Sequence, residues 1–152
     1  PSCLLGEDPK GIPNNLMPLI NQAAFNTRKL TVFGADYDTP DGSAIRDYIH
    51  VSDLAKGHVN SVEKILRDKC GLKTFNLGIG QGISVLDLID IYQSINDVAI
   101  DYEIGSRRVG DLPICYADNR LAKQELGWHP IFTHHDMCKH AYEWMKHKLI
   151  KN

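Results

Sequence analysis

The chain predicts a mixed α/β fold of short strands and helices, one domain over residues 1–152, and three observations carry that prediction. The run Arg46-Asp47-Tyr48-Ile49-His50-Val51-Ser52-Asp53-Leu54-Ala55 alternates its side chains as a strand does and then turns helical. A second splice of strand onto helix follows, with residues 74–77, the glycine turn Gly78-Ile79-Gly80-Gln81-Gly82 and a helix opened by Ser84. An apolar fraction of 43% over 152 residues is enough to build a core.

Each element has its own local cause. Asn14 and Asn15 are good helix caps, and Leu16, Leu19, Ile20 and Ala23 make an apolar stripe behind them. With Asn15 as cap, Pro18 falls in the first turn, where its missing N–H costs little. Residues 30–33 are a short strand stopped at Gly34, and Pro40-Asp41-Gly42 turns the chain back toward the strand at 47–51. Ser52 is the expected cap of the next helix, whose Ala55, Val59, Val62 and Leu66 fall on one apolar face. Residues 74–77 form a strand, and the helix capped by Ser84 is striped by Val85, Leu88, Ile89 and Tyr92. Residues 100–104 are another strand, Asp118 caps a short helix ending near Gly127, and a last helix from about Thr133 buries Met137, Ala141, Trp144 and Met145.

Composition narrows the function classes. With 17 basic against 19 acidic residues and no polybasic tract, neither nucleic acid nor an anionic membrane is expected as a partner, and any anion must be held locally. No apolar run has the length of a membrane span and no leader opens the chain, so a cytoplasmic protein is expected. Cys3, Cys70, Cys115 and Cys138 are far apart and read as reduced thiols, and the histidines His134, His135 and His140 lack acidic or sulfur companions at zinc spacing, so no metal is expected. A start at Pro1, without a methionine and with loop-like residues to Pro13, leads us to expect a piece of a larger protein.

Two motifs invite a redox reading and fail on detail. The glycine turn follows a strand and opens a helix, but Ile83 stands where a dinucleotide fingerprint needs its third glycine, so a tight turn is the expected role. Tyr142 and Lys146 are spaced as the tyrosine base and lysine of short-chain dehydrogenases, yet Asp118 and Asn119 stand where a Ser or Thr would be, and the pair reads as helix surface. No catalytic residue is therefore expected in this chain. Arg46 and Arg108 both lie at turns, where fixed guanidinium groups can grip a diphosphate with paired hydrogen bonds; spacing alone leaves that role and a surface salt bridge equally open.

The segments Gly6-Glu7-Asp8-Pro9-Lys10-Gly11-Ile12-Pro13-Asn14-Asn15-Leu16-Met17-Pro18, Val32-Phe33-Gly34, residues 46–55, Asn76-Leu77-Gly78 and Arg107-Arg108-Val109-Gly110-Asp111 occur in order over essentially the whole chain. They resemble the C-terminal part of the UDP-glucose 4-epimerases, also called UDP-galactose 4-epimerases, within the extended short-chain dehydrogenase/reductase family. The resemblance implies the substrate-binding lobe of an extended Rossmann-type enzyme, with NAD bound by an N-terminal domain absent from this chain, and a homodimeric parent. It implies that Asn15 and Leu16 contact UDP, with the Asn15 amide offered to the phosphates. Thr31, Val32 and Phe33 would form the uracil edge, Arg46 and Arg108 would hold the diphosphate, and Asp111 would take the ribose hydroxyls. Val85 would be an apolar wall. Bacterial members have tyrosine where Cys115 stands, and the smaller side chain implies room for UDP-GlcNAc and UDP-GalNAc beside UDP-glucose and UDP-galactose. In such enzymes hydride leaves and returns at C4 of the sugar, in galactose metabolism, and this fragment alone is expected to be inactive. The alternatives are a non-catalytic nucleotide-sugar-binding module and an inert fragment.

Overall fold

The computed structural model describes residues 2–69 and 71–151. Its elements run α1 (Leu16–Ala24), β1 (Leu30–Phe33), β2 (Ile45–Arg46), α2 (Val51–Asp68), β3 (Ile83–Ser84), α3 (Val85–Asn96), β4 (Tyr102–Gly105), β5 (Ile114–Cys115), α4 (Arg120–Leu126) and α5 (His134–Lys151). The strands form two small sheets, a parallel pair β1-β4 and a triplet in the order β3-β2-β5. Within the triplet β2 is antiparallel to β3 and parallel to β5, so Arg46 lies between Ile83 and Cys115. The mixed α/β class read from the sequence is what the chain adopts.

The core lies where α1, α3 and α5 meet β1, on Ile20, Ala23, Leu30, Val32, Leu88, Ile89, Tyr92, Ile100 and Cys138. Polar groups inside it are paired, as burial demands. The Tyr92 hydroxyl donates to Asn21 Oδ1 at 2.7 Å, and Asn21 Nδ2 donates to the Ala141 carbonyl at 3.3 Å, joining three helices. Burial pushes the Cys138 thiol up to about 12, and both Cys138 and Cys115 are free thiols, while Cys70 and Pro1 lie outside the described residues. Tyr142 is no surface residue: it packs between the rings of Phe25 at 5.1 Å and Tyr92 at 6.1 Å, because its helix turns that side toward α1 and α3.

Several elements depart from expectation. The strand read over 47–51 is confined to Ile45–Arg46, and beyond it the Asp47 carboxylate bonds amides of other segments and His50 caps the next helix. His50, not Ser52, caps α2, its Nδ1 accepting from the Ser52 amide at 3.0 Å. The face of α2 turned inward carries Asp53 and Gly57, while Val59, Val62 and Leu66 of the expected apolar face are 49%, 54% and 75% exposed. Gly57 explains the reversal, because a Cβ there would meet the Leu77 methyls and the Trp128 indole. Residues 74–77 do not form a strand among the described residues, for want of a neighbour to pair with. Strand β4 begins two residues later than the spacing suggests, and the short β5 has no signature in the sequence.

The remaining ends behave as their chemistry requires. Ser84 Oγ accepts from the Asp87 amide at 3.0 Å and caps α3. Asn119 occupies the cap position of α4 while Asp118 Oδ1 accepts from the Arg120 amide at 3.1 Å, so the expected cap acts from one residue earlier. Thr133 and Asp136 bond each other's amides reciprocally before α5, which buries Met137, Cys138 and Met145 and leaves Ala141 and Trp144 half-buried.

Candidate functional site

Arg46, the last residue of β2, is the hub of a charged cluster. Its Nη2 lies 3.6 Å from Asp111 Oδ1, and Arg108 Nε donates to Asp111 Oδ2 at 2.8 Å, so two guanidinium groups converge on one carboxylate. Arg46 and Asp111 are largely covered, with side chains 24% and 21% exposed, whereas Arg108 is 58% exposed and lies over the Phe33 ring at 5.1 Å. Tyr48 lies near both arginines. Burial pushes its phenol up to about 12 although both arginines pull the other way, so it stays neutral. Cys115 joins the cluster as the β5 neighbour of Arg46, and its side chain is exposed.

Strand β1 contributes by its backbone. The Leu30 amide donates to Asp101 O and the Gly34 amide to Gly105 O, so even-numbered residues turn their backbone groups to β4, and those of Thr31 and Phe33 face the other way. No strand among the described residues covers that second edge. Val32 does not reach it: its side chain is buried in the core and its backbone faces β4, as strand alternation demands. The Thr31 hydroxyl is donated to Glu103 at 3.3 Å. Val85, half-buried at the start of α3, follows the residue paired with Ile45. Asn15 and Leu16 stand at the start of α1, where the Asn15 amide donates to Glu7 Oε1 at 2.9 Å and Leu16 packs on the core. The structure thus brings Phe33, Arg46, Arg108, Asp111 and Cys115 together; Asn15 and Leu16 belong to a separate element, where the Asn15 side chain bonds Glu7 instead.

Sequence patterns gave no hint of Asp47. Its carboxylate accepts from the amides of Ile79 at 2.8 Å, Gly80 at 2.9 Å and Ala117 at 3.1 Å. Buried Asn119 completes the turn by donating to the carbonyls of Gly78 and Ile79. Gly80 has φ of +79°, so the turn needs its glycine there. A dinucleotide pyrophosphate would meet a carboxylate already seated on these amides, so the turn does not fit NAD. Nor do Tyr142 and Lys146 offer a base, for the Lys146 ammonium lies over the packed Tyr142 ring at 5.5 Å. Among the described residues no group of three or more His, Cys, Asp or Glu is placed to hold a metal. A concavity of about 380 Å³ lined by Asp41, Gln81, Ser84, Asp87 and His134 includes none of the ten expected site residues. No helix of the described residues is long and apolar enough to cross a membrane.

Fold and site together define an α/β lobe in which two arginines converge on one carboxylate beside an aromatic ring. The family model described as "NAD dependent epimerase/dehydratase family" matches residues 1–78, and the chain belongs to that family. It is 48% identical over 143 residues to the UDP-glucose 4-epimerase of Homo sapiens, covering 93% of this chain and 41% of that protein. It is 46% identical over 145 residues to that of Bacillus subtilis, with 95% and 42% covered. Among solved structures it is similar to the UDP-glucose-4-epimerase of Stenotrophomonas maltophila with bound NAD and formylated UDP-arabinopyranose, at TM-score 0.94 and 42% identity over 99% of this chain and 45% of that one. The Bifidobacterium longum enzyme in complex with NAD+ and UDP matches at TM-score 0.92 and 48% identity, over 97% and 44%. The chain therefore spans about two fifths of the length of these curated relatives.

Proposed function

We propose that residues 1–152 are the UDP-sugar-binding C-terminal domain of an NAD-dependent UDP-glucose 4-epimerase, and that the convergence of Arg46 and Arg108 beside Phe33 is its diphosphate grip. A diphosphate entering between the guanidinium groups would replace the Asp111 carboxylate with a ligand of greater charge and more acceptor oxygens. Asp111, released, would take the ribose hydroxyls. The outward backbone of Thr31 and Phe33 would read uracil, with the Phe33 ring and Val85 as apolar walls, and Asn15 and Leu16 would contact the UDP from α1. Placing binding energy on the nucleotide leaves the hexose free to present either face, as inversion at C4 requires. NAD would be held by an N-terminal domain of the whole enzyme, because the described glycine turn is closed to it. The whole enzyme would be a cytoplasmic homodimer, the even charge balance and the free Cys115 and Cys138 thiols agreeing with that compartment.

Calorimetric titration of the chain with UDP tests the grip. Arg46→Ala should weaken binding about tenfold or more, the worth of a charge-assisted hydrogen bond. No heat at millimolar UDP for the unaltered chain would instead mark an inert fragment. The unaltered chain alone should show no epimerisation.

Room at the sugar is the finer part of the proposal. Cys115 is small, exposed and next to Arg46 in the sheet, which favours UDP-GlcNAc and UDP-GalNAc as additional substrates. In the whole enzyme, Cys115→Tyr should abolish turnover of the N-acetylated pair while sparing UDP-galactose; equal loss on both would refute the argument from size.

A further inference from the structure

Asn15 holds the cap position of α1 with extended backbone angles, φ −94° and ψ 150°, yet its side chain makes no cap hydrogen bond. Asparagine is among the strongest cap residues, so an asparagine at a cap that bonds elsewhere has been diverted. Here the diversion is to Glu7, whose Oε1 accepts from Asn15 Nδ2 at 2.9 Å.

Glu7 is exposed, but the chain on either side of it is fixed to α5. Gly6 lies so close to the Trp144 indole that any Cβ would collide with it. The Asp8 carboxylate pairs with Lys148 Nζ at 2.5 Å, and His147 Nδ1 lies 3.1 Å from the Cys3 carbonyl. Residues 3–8 are therefore a strap across the second half of α5, ending in a carboxylate delivered to Asn15. A carboxylate only accepts, so it selects the NH2 end of the amide and leaves one N–H and the carbonyl of Asn15 for other partners.

We infer that Glu7 is a positioning residue for nucleotide binding: it fixes the Asn15 amide, before ligand arrives, with its second N–H available to a phosphate. The inference rests on the proposed contact between Asn15 and UDP. Holding a two-torsion side chain in its bound rotamer removes an ordering cost from the binding step.

Calorimetric UDP titration of the full chain tests it with Glu7→Ala, Glu7→Gln, Asn15→Ala and the double variant Glu7→Ala/Asn15→Ala. Glu7→Ala should weaken UDP binding about two- to tenfold, the ordering cost of one side chain. Glu7→Gln, which keeps a carbonyl acceptor, should restore it. In the Asn15→Ala background the Glu7 substitution should have no further effect, which separates positioning from a general loss of structure. Tighter binding by Glu7→Ala or Glu7→Gln would overturn the inference, since Glu7 would then be repelling the diphosphate. Unchanged affinity in Glu7→Ala with weakened affinity in Asn15→Ala would overturn it while sparing the Asn15 contact. Unchanged affinity in Asn15→Ala would overturn both, and Arg46→Ala would then show whether the arginine grip survives.

Discussion

Asp47 and Arg46 are neighbours with opposite assignments. Arg46 was singled out in the sequence by its place at a turn and by the resemblance, and the fold pairs it with Asp111. Asp47 was not, because its meaning lies in amides at positions 79, 80 and 117, which only the fold brings within reach. The same holds for Asn119, whose two carbonyl partners belong to the glycine turn. Removing the carboxylate by Asp47→Ala leaves three amides without a protein acceptor and should cost about 2–3 kcal/mol, read as a lower urea midpoint. A midpoint equal to that of the unaltered chain would mean that water satisfies the turn equally well. Val32 is the residue whose expected role the fold opposes, because strand alternation turns it inward where the sequence offered only a contiguous triplet.

Helix α2 shows what periodicity can and cannot say. Its apolar residues do recur on one face, but spacing does not reveal which face meets the rest of the chain. Gly57, whose missing side chain admits Leu77 and Trp128, decided that. The cap was equally hidden, since a histidine rarely serves and Ser52 was the better candidate by type. Because His50 Nδ1 accepts from Ser52, its proton must sit on Nε2, which faces His140 Nδ1 at 3.1 Å. Both rings must then be neutral for the joint between α2 and α5 to hold. Burial lowers the pKa of His50 and the neighbouring His140 lowers it further, against the opposing pull of Asp53 and Asp136. Burial likewise lowers His140 and His134. The unfolded chain thus takes up protons near pH 6.5 that the folded chain resists, so stability is complete above that pH and declines as pH falls through the folded values. Urea midpoints should drop between pH 7.5 and 5.5, and drop less in His140→Gln. A flat profile would show that the pair opens without cost. Asp136, held low by its bonds from Thr133, and Asp118, held at about 2 by Arg120, add their losses only in stronger acid.

Across the whole molecule, Val51, Val59, Val62, Ile65 and Leu66 form an exposed apolar row along α2, and Leu72 beyond its end is fully exposed. A contiguous apolar surface of this kind is uncommon on an isolated domain, and it agrees with a chain that spans two fifths of its relatives. The α/β class and most helices could be read from local pattern because caps and stripes are local. The two sheets could not, since β2, β3 and β5 are two residues each and are defined by their partners. A ladder that short does little to fix its own register, and a slip by one residue would turn every side chain of β2 to the other face. Such a slip would press the Asp47 carboxylate toward Asp111 and drive the Arg46 guanidinium into a ring of amide N–H groups, like charge against like at both ends. The alternation of one cation and one anion therefore holds the central strand against a one-residue slip by repulsion at both ends.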